Sequence, residues 1–122
     1  MSEIALVAEE RDLVVGFCLV LRKSAPYESL NFKWFRDRYD DFVYLDRVAV
    51  AATHRNRGIG GLLYDEVERL TDQSLFALEV NLRPRNDGSL RFHARRGFVE
   101  VGRQETDYDA LVSLMVKHLP TK

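Results

Sequence analysis

A glycine-rich segment between a strand pattern and a helix pattern constrains the fold of this chain more than any other feature. The segment 55–61, Arg-Asn-Arg-Gly-Ile-Gly-Gly, follows an alternating run over Phe42–Val50 and leads into an amphipathic pattern that extends to Leu70. Such a turn points free backbone N–H groups and the positive end of a helix dipole at whatever lies before the helix. Glycine lets the backbone approach an anion, and arginine adds charge-assisted hydrogen bonds. The segment favours a pyrophosphate site, although spacing alone leaves an ordinary tight turn as the alternative.

Two well-known phosphate-binding loops are excluded by the residues around the glycines. A P-loop continues from its last glycine into lysine and then serine or threonine, whereas Leu62 follows Gly61. The dinucleotide-binding fingerprint needs a glycine three positions beyond Gly60, and that position is Leu63. A phosphate site in this segment therefore belongs to a different fold.

The rest of the chain has patterns typical of short strands and helices. The further elements are strands at Ile4–Glu9, Leu13–Arg22 and Leu75–Val80, a helix at Ser89–Arg96, and strands at Phe98–Thr106 and Ala110–Lys117. The resulting order, β-β-loop-β-α-β-α-β-β, predicts an α/β (α+β) fold with one mixed sheet. With 122 residues, we expect a single domain spanning residues 1–122.

Composition limits the partners and the compartment that we expect. The formal net charge of -1 disfavours a nucleic-acid partner. The acidic start of the chain and the lack of a long apolar run predict no signal peptide and no membrane partner, and hence a cytoplasmic protein. The single cysteine, Cys18, and three scattered histidines predict neither an internal disulfide nor a metal site.

An aromatic segment, Ser24–Asp41, separates the second and third predicted strands. Together with Phe42 and Tyr44 just after it, the segment holds seven of the thirteen aromatic residues, and a helical spacing within it predicts a short helix. Covering the core is the favoured interpretation; lining an acceptor site and forming a dimer contact are the alternatives.

Two separate motifs give the chain a resemblance to the GNAT superfamily of N-acetyltransferases. The run Val48-Ala49-Val50, followed by Arg55-x-x-Gly58-x-Gly60, matches the acyl-CoA motif of that family residue for residue. A second block matches independently through Asn86, Ser89, Phe92 and the pair Gly97-Phe98. The strand that follows the aromatic segment also resembles a bacterial subgroup of the family.

The resemblance covers nearly the whole chain and implies a mixed, mostly antiparallel sheet with splayed central strands. The usual first strand and first two helices of the family, which wall off the acceptor groove, have no counterpart in the pattern. The aromatic segment, a second subunit or an absent part of the gene product could each take their place. An uncovered wall also makes a homodimer an expectation.

The same resemblance assigns a site for acetyl-CoA, the acyl-donor cosubstrate. The backbone of Val48, Ala49 and Val50 would pair with the pantetheine arm. The N–H groups of the segment from Arg55 to Gly60 would cradle the pyrophosphate, with the residues Arg55, Asn56, Arg57, Gly58, Ile59 and Gly60. Asn86 would bond to the pantetheine or hold the splayed strands, and Ser89 belongs to the same block. Arg91 and Arg95 could reach the nucleotide phosphates.

Two residues are predicted to be catalytic. Glu79 lies in a Leu-Glu-Val strand which, in ribosomal-protein N-terminal acetyltransferases, carries the general base; Asp46 on the neighbouring strand is the rival. A structural salt bridge from Glu79 to Arg47 is the alternative reading. The position of the family's general-acid tyrosine holds His93, which could protonate the departing thiolate, with a plain helix-surface histidine as the alternative.

These assignments predict an N-acetyltransferase that moves an acetyl group from acetyl-CoA directly to an amine, without a metal. The acceptor would be a small-molecule or peptide amine, and the acidic cluster of Asp37, Asp40 and Asp41 could attract one. Whether the donor is acetyl or a longer acyl group stays open. The main alternative is a non-catalytic acyl-CoA-binding sensor or scaffold, and the other is a structural domain that binds nothing at the turn.

Overall fold

The computed structural model describes residues 3–27, 29–106 and 108–120, which form six strands, three α-helices and one 3₁₀ turn. The strands are β1 (Glu3–Glu10), β2 (Leu13–Arg22), β3 (Val43–Val50), β4 (Leu75–Arg83), β5 (Val99–Glu105) and β6 (Leu111–His118). The helices are α1 (Leu30–Arg38), α2 (Ile59–Leu70) and α3 (Asp87–Arg95), and the 3₁₀ turn is Ala52–His54.

The strands form one mixed sheet in the order β1-β2-β3-β4-β6-β5. The neighbours β3 and β4 are parallel, as a crossover through α2 requires, and the other pairs are antiparallel. The predicted α+β fold with a mixed, mostly antiparallel sheet is confirmed. The 3₁₀ turn before the glycines is an addition to the predicted order.

The two central strands separate soon after they meet. Val43 pairs with Phe76 and Tyr44 with Ala77, whereas from Leu45 onward β3 pairs with β2 alone. The predicted splay of the central strands is therefore confirmed. Asp46 and Glu79 each lie two residues past the last pair, so they flank the opening at the same level and on the same face of the sheet.

Helices α2 and α3 cover one face of the sheet. The stripe of α2 that includes Leu63, Tyr64 and Val67 is buried, as the amphipathic pattern indicates. It packs against strand residues such as Val20 and Phe76 in one apolar cluster. This packing fixes where α2 begins relative to the end of β3, and hence where the glycine segment lies.

Helix α1 covers the other face and accounts for the aromatic segment. Phe32 and Phe35 are fully buried against Phe42 and Tyr44, so the segment covers the core as favoured. Ser29 caps the helix, its Oγ accepting a hydrogen bond from the Phe32 N–H at 3.1 Å. In the part of the chain that the structure describes, no helix is long and apolar enough to cross a membrane.

The first half of α1 rests directly on β5. A Cβ at Gly102 would lie 2.5 Å from Trp34 Cζ2, so the close approach of the indole needs glycine there. Gln104 Nε2 also donates to Asn31 Oδ1 at 2.9 Å. These contacts hold the start of α1 beside the opening in the sheet.

Candidate active site

A cavity of about 790 Å³ lies on the α2–α3 face, at the carboxyl end of β3. It is bounded by the end of that strand, the glycine segment, the first turns of α2 and one side of α3. All of the predicted cofactor residues except Arg57 and Asn86 contribute to its lining: Val48, Ala49, Val50, Arg55, Asn56, Gly58, Ile59, Gly60 and Ser89. The structure therefore brings together residues from two motifs that are about thirty positions apart in the chain.

The backbone of the glycine segment has the shape that a phosphate cradle needs. Gly58 has a φ of 79°, in the left-handed region, and Asn56 has a φ of 64°. Gly58 occupies the N-cap position of α2 without a side-chain hydrogen bond to the first helical turn. The first N–H groups of α2 are thus left to an external acceptor, with the positive end of the helix dipole behind them.

Arginines supply the positive charge of this cavity. Arg55, Arg95 and Arg96 contribute to its lining, whereas Arg91 does not. Arg57 turns toward the β1–β2 hairpin, where its Nη2 lies 3.4 Å from Glu10 Oε2. The contact with Glu10 involves only the side chain of Arg57. It therefore does not occupy the backbone N–H that we expect Arg57 to contribute to the phosphate cradle.

Asn86 lies next to the cavity as a cap. Its Oδ1 accepts a hydrogen bond from the Ser89 N–H at 3.1 Å, and its own N–H donates to the Asn81 carbonyl at 3.2 Å. Asn86 thus ties the start of α3 to the end of β4. Neither contact joins β3 to β4, so the two roles expected for Asn86, bonding to the pantetheine and holding the splayed strands, stay predictions.

His93 is buried in the wall of the cavity with both ring nitrogens engaged. Nδ1 lies 2.7 Å from the Ser89 carbonyl, which only accepts, so Nδ1 carries a hydrogen. Nε2 lies 2.8 Å from Tyr64 Oη. Burial lowers the pKa of His93 from its ordinary value, although the Ser89 carbonyl partly opposes this. The neutral ring, with Nε2 accepting from the Tyr64 hydroxyl, is favoured at neutral pH.

A second, smaller cavity of about 290 Å³ lies on the α1 face, beside the opening between β3 and β4. It adjoins the larger cavity along β3, since Asp46 and Arg47 line the smaller one and Val48–Val50 the larger one. The rest of the lining is tyrosine, small polar groups and one leucine: Tyr27, Ser29, Leu30, Asn31, Tyr44, Thr106 and Tyr108, with the carboxylate of Glu79.

Glu79 is held at the inner end of this smaller cavity. The Tyr44 hydroxyl donates to Glu79 Oε1 at 2.5 Å. Burial raises the pKa of Glu79 above its ordinary value, and the charge of Asp46 adds to the rise, while hydrogen bonds from Tyr44 and Asn31 oppose it. A carboxylate whose pKa is moved toward neutrality is a better proton acceptor for an ammonium than an ordinary one.

Asp46 has a tyrosine partner of its own. The Tyr27 hydroxyl donates to Asp46 Oδ1 at 2.6 Å, and this bond, with burial, raises the pKa of Tyr27 to about 12. Asp46 Oδ2 lies 3.9 Å from Nε of Arg47, whose side chain is 75% exposed. Arg47 therefore faces Asp46, and a contact this exposed is weak.

The aspartates near α1 lie elsewhere. Asp40 and Asp41 line a separate shallow site with Arg22, Lys23 and Arg36, where Arg22 Nη2 lies 3.6 Å from Asp41 Oδ2. They are thus surrounded by cations and do not line the cavity that holds Glu79. Among the described residues, no three His, Cys, Asp or Glu side chains are grouped as metal ligands would be.

Four tyrosines of the two cavities have no role in the sequence-based assignments. Tyr64 lies on α2 among leucines and valines, Tyr27 and Tyr44 lie in and after the aromatic segment, and Tyr108 lies between β5 and β6. A weak signal existed for Tyr64, because a buried tyrosine needs a hydrogen-bond partner for its hydroxyl. The partner, His93, is on another helix, so the pairing itself could not be found from spacing.

Comparisons with known proteins place this geometry among acetyltransferases. A family model described as Acetyltransferase (GNAT) family matches residues 2–98. The fold is similar to that of an acetyltransferase of the GNAT family from Streptococcus pneumoniae, at 20% identity and a TM-score of 0.74, over 98% of this chain and 68% of that one. No curated protein matches the chain in sequence.

Two structures of NAA60 from Arabidopsis thaliana are also similar in fold. The complex with a bisubstrate analogue aligns with a TM-score of 0.74 at 20% identity, over 100% of this chain and 78% of that one. The complex with acetyl-CoA aligns with a TM-score of 0.66 at 23% identity, over 87% of this chain and 66% of that one.

Proposed function

Because the chain belongs to the acetyltransferase (GNAT) family, we propose that it moves an acetyl group from acetyl-CoA directly to the nitrogen of a cationic amine. The observation that carries this proposal is the meeting of two unlike cavities at the opening between β3 and β4. One has the backbone and charge that suit a pyrophosphate, and the other has a half-buried carboxylate, Glu79, that suits an ammonium.

The larger cavity is where we place acetyl-CoA. The N–H groups of the glycine segment would bind the pyrophosphate, with Arg55 and Arg95 near its charge. Because β3 has left β4 by this point, the backbone of Val48–Val50 on that side is free to pair with the pantetheine arm as an added strand. The acetyl-CoA complex of a protein with the same fold supports this placement.

The smaller cavity is where we place the acceptor. Glu79 would take a proton from the bound ammonium, and the freed nitrogen would attack the thioester carbonyl through the opening in the sheet. The tetrahedral intermediate then breaks its carbon–sulfur bond, giving the amide and a thiolate. Asp46, which lines the same cavity, would contact the acceptor as a second anionic group throughout the reaction. Its charge favours a small cationic amine over a neutral one.

The thiolate has to gain a proton on the donor side, and we assign its source to His93 in its imidazolium form, which the lowered pKa of His93 makes the minor form at neutral pH. The histidine lies in the wall of the larger cavity, on the opposite face from Glu79, so the two proton transfers use separate groups. Ser89 orients the ring through its carbonyl. The homodimer, the cytoplasmic location and the absence of nucleic-acid and membrane partners stay predictions from the sequence.

The test is turnover of acetyl-CoA by the purified protein with a panel of amines, followed by thiol release and by the mass of the product. We expect thiol release that depends on a cationic amine. The product should have the mass of that amine plus one acetyl group. Thermal stabilisation by acetyl-CoA without acetylation of any amine would support the non-catalytic acyl-CoA-binding module instead, because that module needs only the larger cavity.

A further inference from the structure

We propose that the acceptor is a free α-amino acid, whose carboxylate is bound by Arg47 while its ammonium faces Glu79 and Asp46. The inference rests on the proposed acetyl transfer and narrows its acceptor from amines in general to those that carry an anion beside the amine. Arg47 lines the smaller cavity together with both acids.

A β-bulge places Asp46 and Arg47 side by side at this cavity. Two successive residues of β2, Leu19 and Val20, pair with Arg47 and Leu45 of β3. Asp46 is therefore an extra residue of β3 without a partner in β2. In a regular strand, successive side chains point to opposite faces of the sheet, whereas a bulge can re-aim one of them. Both charged side chains consequently line the same cavity.

The neighbouring residues show that Arg47 lies on the α1 face. Its partner Leu19 packs against the apolar cluster on that face, to which Tyr44 also belongs. The next residue, Val48, pairs with Cys18 of the cluster on the α2–α3 face. Regular alternation from Tyr44 would instead have put Arg47 on the α2–α3 face. The bulge is thus what brings a cation to the acceptor side.

The guanidinium of Arg47 is available to a ligand. Its side chain is 75% exposed, and among the described residues only Asp46 lies within ion-pair distance, with 3.9 Å between Arg47 Nε and Asp46 Oδ2. Asp46 also accepts a hydrogen bond from the Tyr27 hydroxyl. A guanidinium presents its N–H donors in a planar fork that matches a carboxylate. Arg47 can therefore bind a carboxylate at the loss of one weak contact.

The charges of the smaller cavity are arranged like those of a bound amino acid. Glu79 is half-buried and the side chain of Asp46 is 14% exposed, so both anions lie deeper than the cation of Arg47. An ammonium is attracted inward, and a carboxylate is held at the mouth. Because Asp46 and Arg47 are adjacent, the two charges of the ligand have to be close together, as they are in an α-amino acid. A peptide N-terminus has a neutral amide in place of that carboxylate, and a diamine would bring a second cation toward Arg47.

Matched acceptors test the inference in the wild type. Each L-α-amino acid is compared with its own carboxamide, which keeps the amine and the side chain and lacks the anion. We expect at least one amino acid to be acetylated with a kcat/KM about tenfold or more above that of its amide, mainly through a lower KM. Because this comparison uses no variant, it does not depend on whether a substituted chain folds. Equal or higher kcat/KM values for the amides would overturn the inference.

The substitution Arg47→Gln tests the residue. The side chain is exposed, so thermal melting should stay close to the wild type, while the preference for the amino acid over its amide should fall below about twofold. Any difference in basicity between the two acceptors is the same for both proteins and cancels in this comparison. Arg103→Gln is the control, since Arg103 lies on β5 with 61% of its side chain exposed and lines neither cavity. It should keep the wild-type preference.

The outcomes separate the inference from the proposed function. An unchanged preference in folded Arg47→Gln, or a wild type that acetylates other amines but no amino acid, would overturn the inference alone. Failure of the wild type to acetylate any amine would overturn the proposed function as well.

Discussion

The two cavities are built from different kinds of atoms, although they share one strand. The larger cavity is shaped by backbone: the end of β3, a glycine with positive φ and the uncapped start of α2. The smaller cavity is shaped by side chains, with Tyr44 holding Glu79 and Tyr27 holding Asp46. A backbone site suits a donor whose pyrophosphate needs many N–H groups, and a side-chain site suits an acceptor that is recognised by a few charges.

This difference gives a rule for variants. Conservative side-chain changes in the smaller cavity should alter the rate or the acceptor affinity and leave donor binding intact. Backbone changes in the glycine segment should do the reverse.

The largest effect is expected from Glu79→Gln. The amide keeps the shape and can still accept the hydrogen bond from Tyr44, but it cannot take a proton from the ammonium. We expect kcat to fall by a factor of about 100 to 1,000, while the Kd of acetyl-CoA stays the same. Steady-state kinetics and calorimetric titration measure the two quantities. Glu9→Gln, on the exposed face of β1, is the control; a rate in Glu79→Gln equal to that of the control would remove Glu79 as the base.

The next largest effect is expected from Gly58→Ala. A Cβ at this position meets no atom within 4 Å, so any loss has to come from the φ of 79° and not from crowding. We expect the Kd of acetyl-CoA to rise about tenfold, which corresponds to about 1.4 kcal/mol. Gly88→Ala, at an ordinary helical φ in the first turn of α3, should bind acetyl-CoA like the wild type. Equal affinities for the two variants would show that the cradle does not depend on this backbone.

The larger cavity was also the more predictable of the two. Glycines at fixed spacing between a strand and a helix report a backbone shape, and the family resemblance of the two motifs assigned nine of the sixteen residues that line this cavity. The mixed, mostly antiparallel sheet and its splayed central strands followed from the same resemblance. The partners of Glu79 and His93 were not found, because Tyr44 and Tyr64 come from other elements, and only the packed sheet brings their hydroxyls within 2.5 Å and 2.8 Å.

The aromatic segment shows the same limit. Its spacing predicted a helix, and Phe32 and Phe35 are buried as a covering helix requires. No local pattern separates these core residues from Tyr27, whose hydroxyl reaches Asp46 nineteen positions further on. A side chain at the border of core and cavity is assigned by tertiary contacts, which no local pattern reports.

A smaller effect is expected from Asp46→Asn. If Asp46 binds the acceptor and Glu79 is the base, the variant should raise KM for a cationic amine about fivefold to tenfold with kcat little changed, since one charged contact contributes about 1 kcal/mol at a partly exposed site. Putrescine and n-butylamine are suitable acceptors, because they share a four-carbon chain and carry two amino groups and one amino group, respectively. A collapse of kcat with unchanged KM would instead make Asp46 the base.

The smallest effect concerns stability, and Glu79→Gln tests it at two pH values. Because burial raises the pKa of Glu79 in the folded state, the neutral carboxyl is favoured there relative to the unfolded chain. The stability that this group contributes is fully present below its unfolded pKa and is lost as the pH rises through the raised folded value. Glutamine does not ionise, so the variant loses no stability at this position as the pH rises. The variant should therefore melt about 2 to 6 °C above the wild type near pH 8, and close to it near pH 4. An equal difference at both pH values would mean that Glu79 has the pKa of an ordinary carboxylate. The smaller cavity would then lack the base of raised pKa that distinguishes it from the larger one.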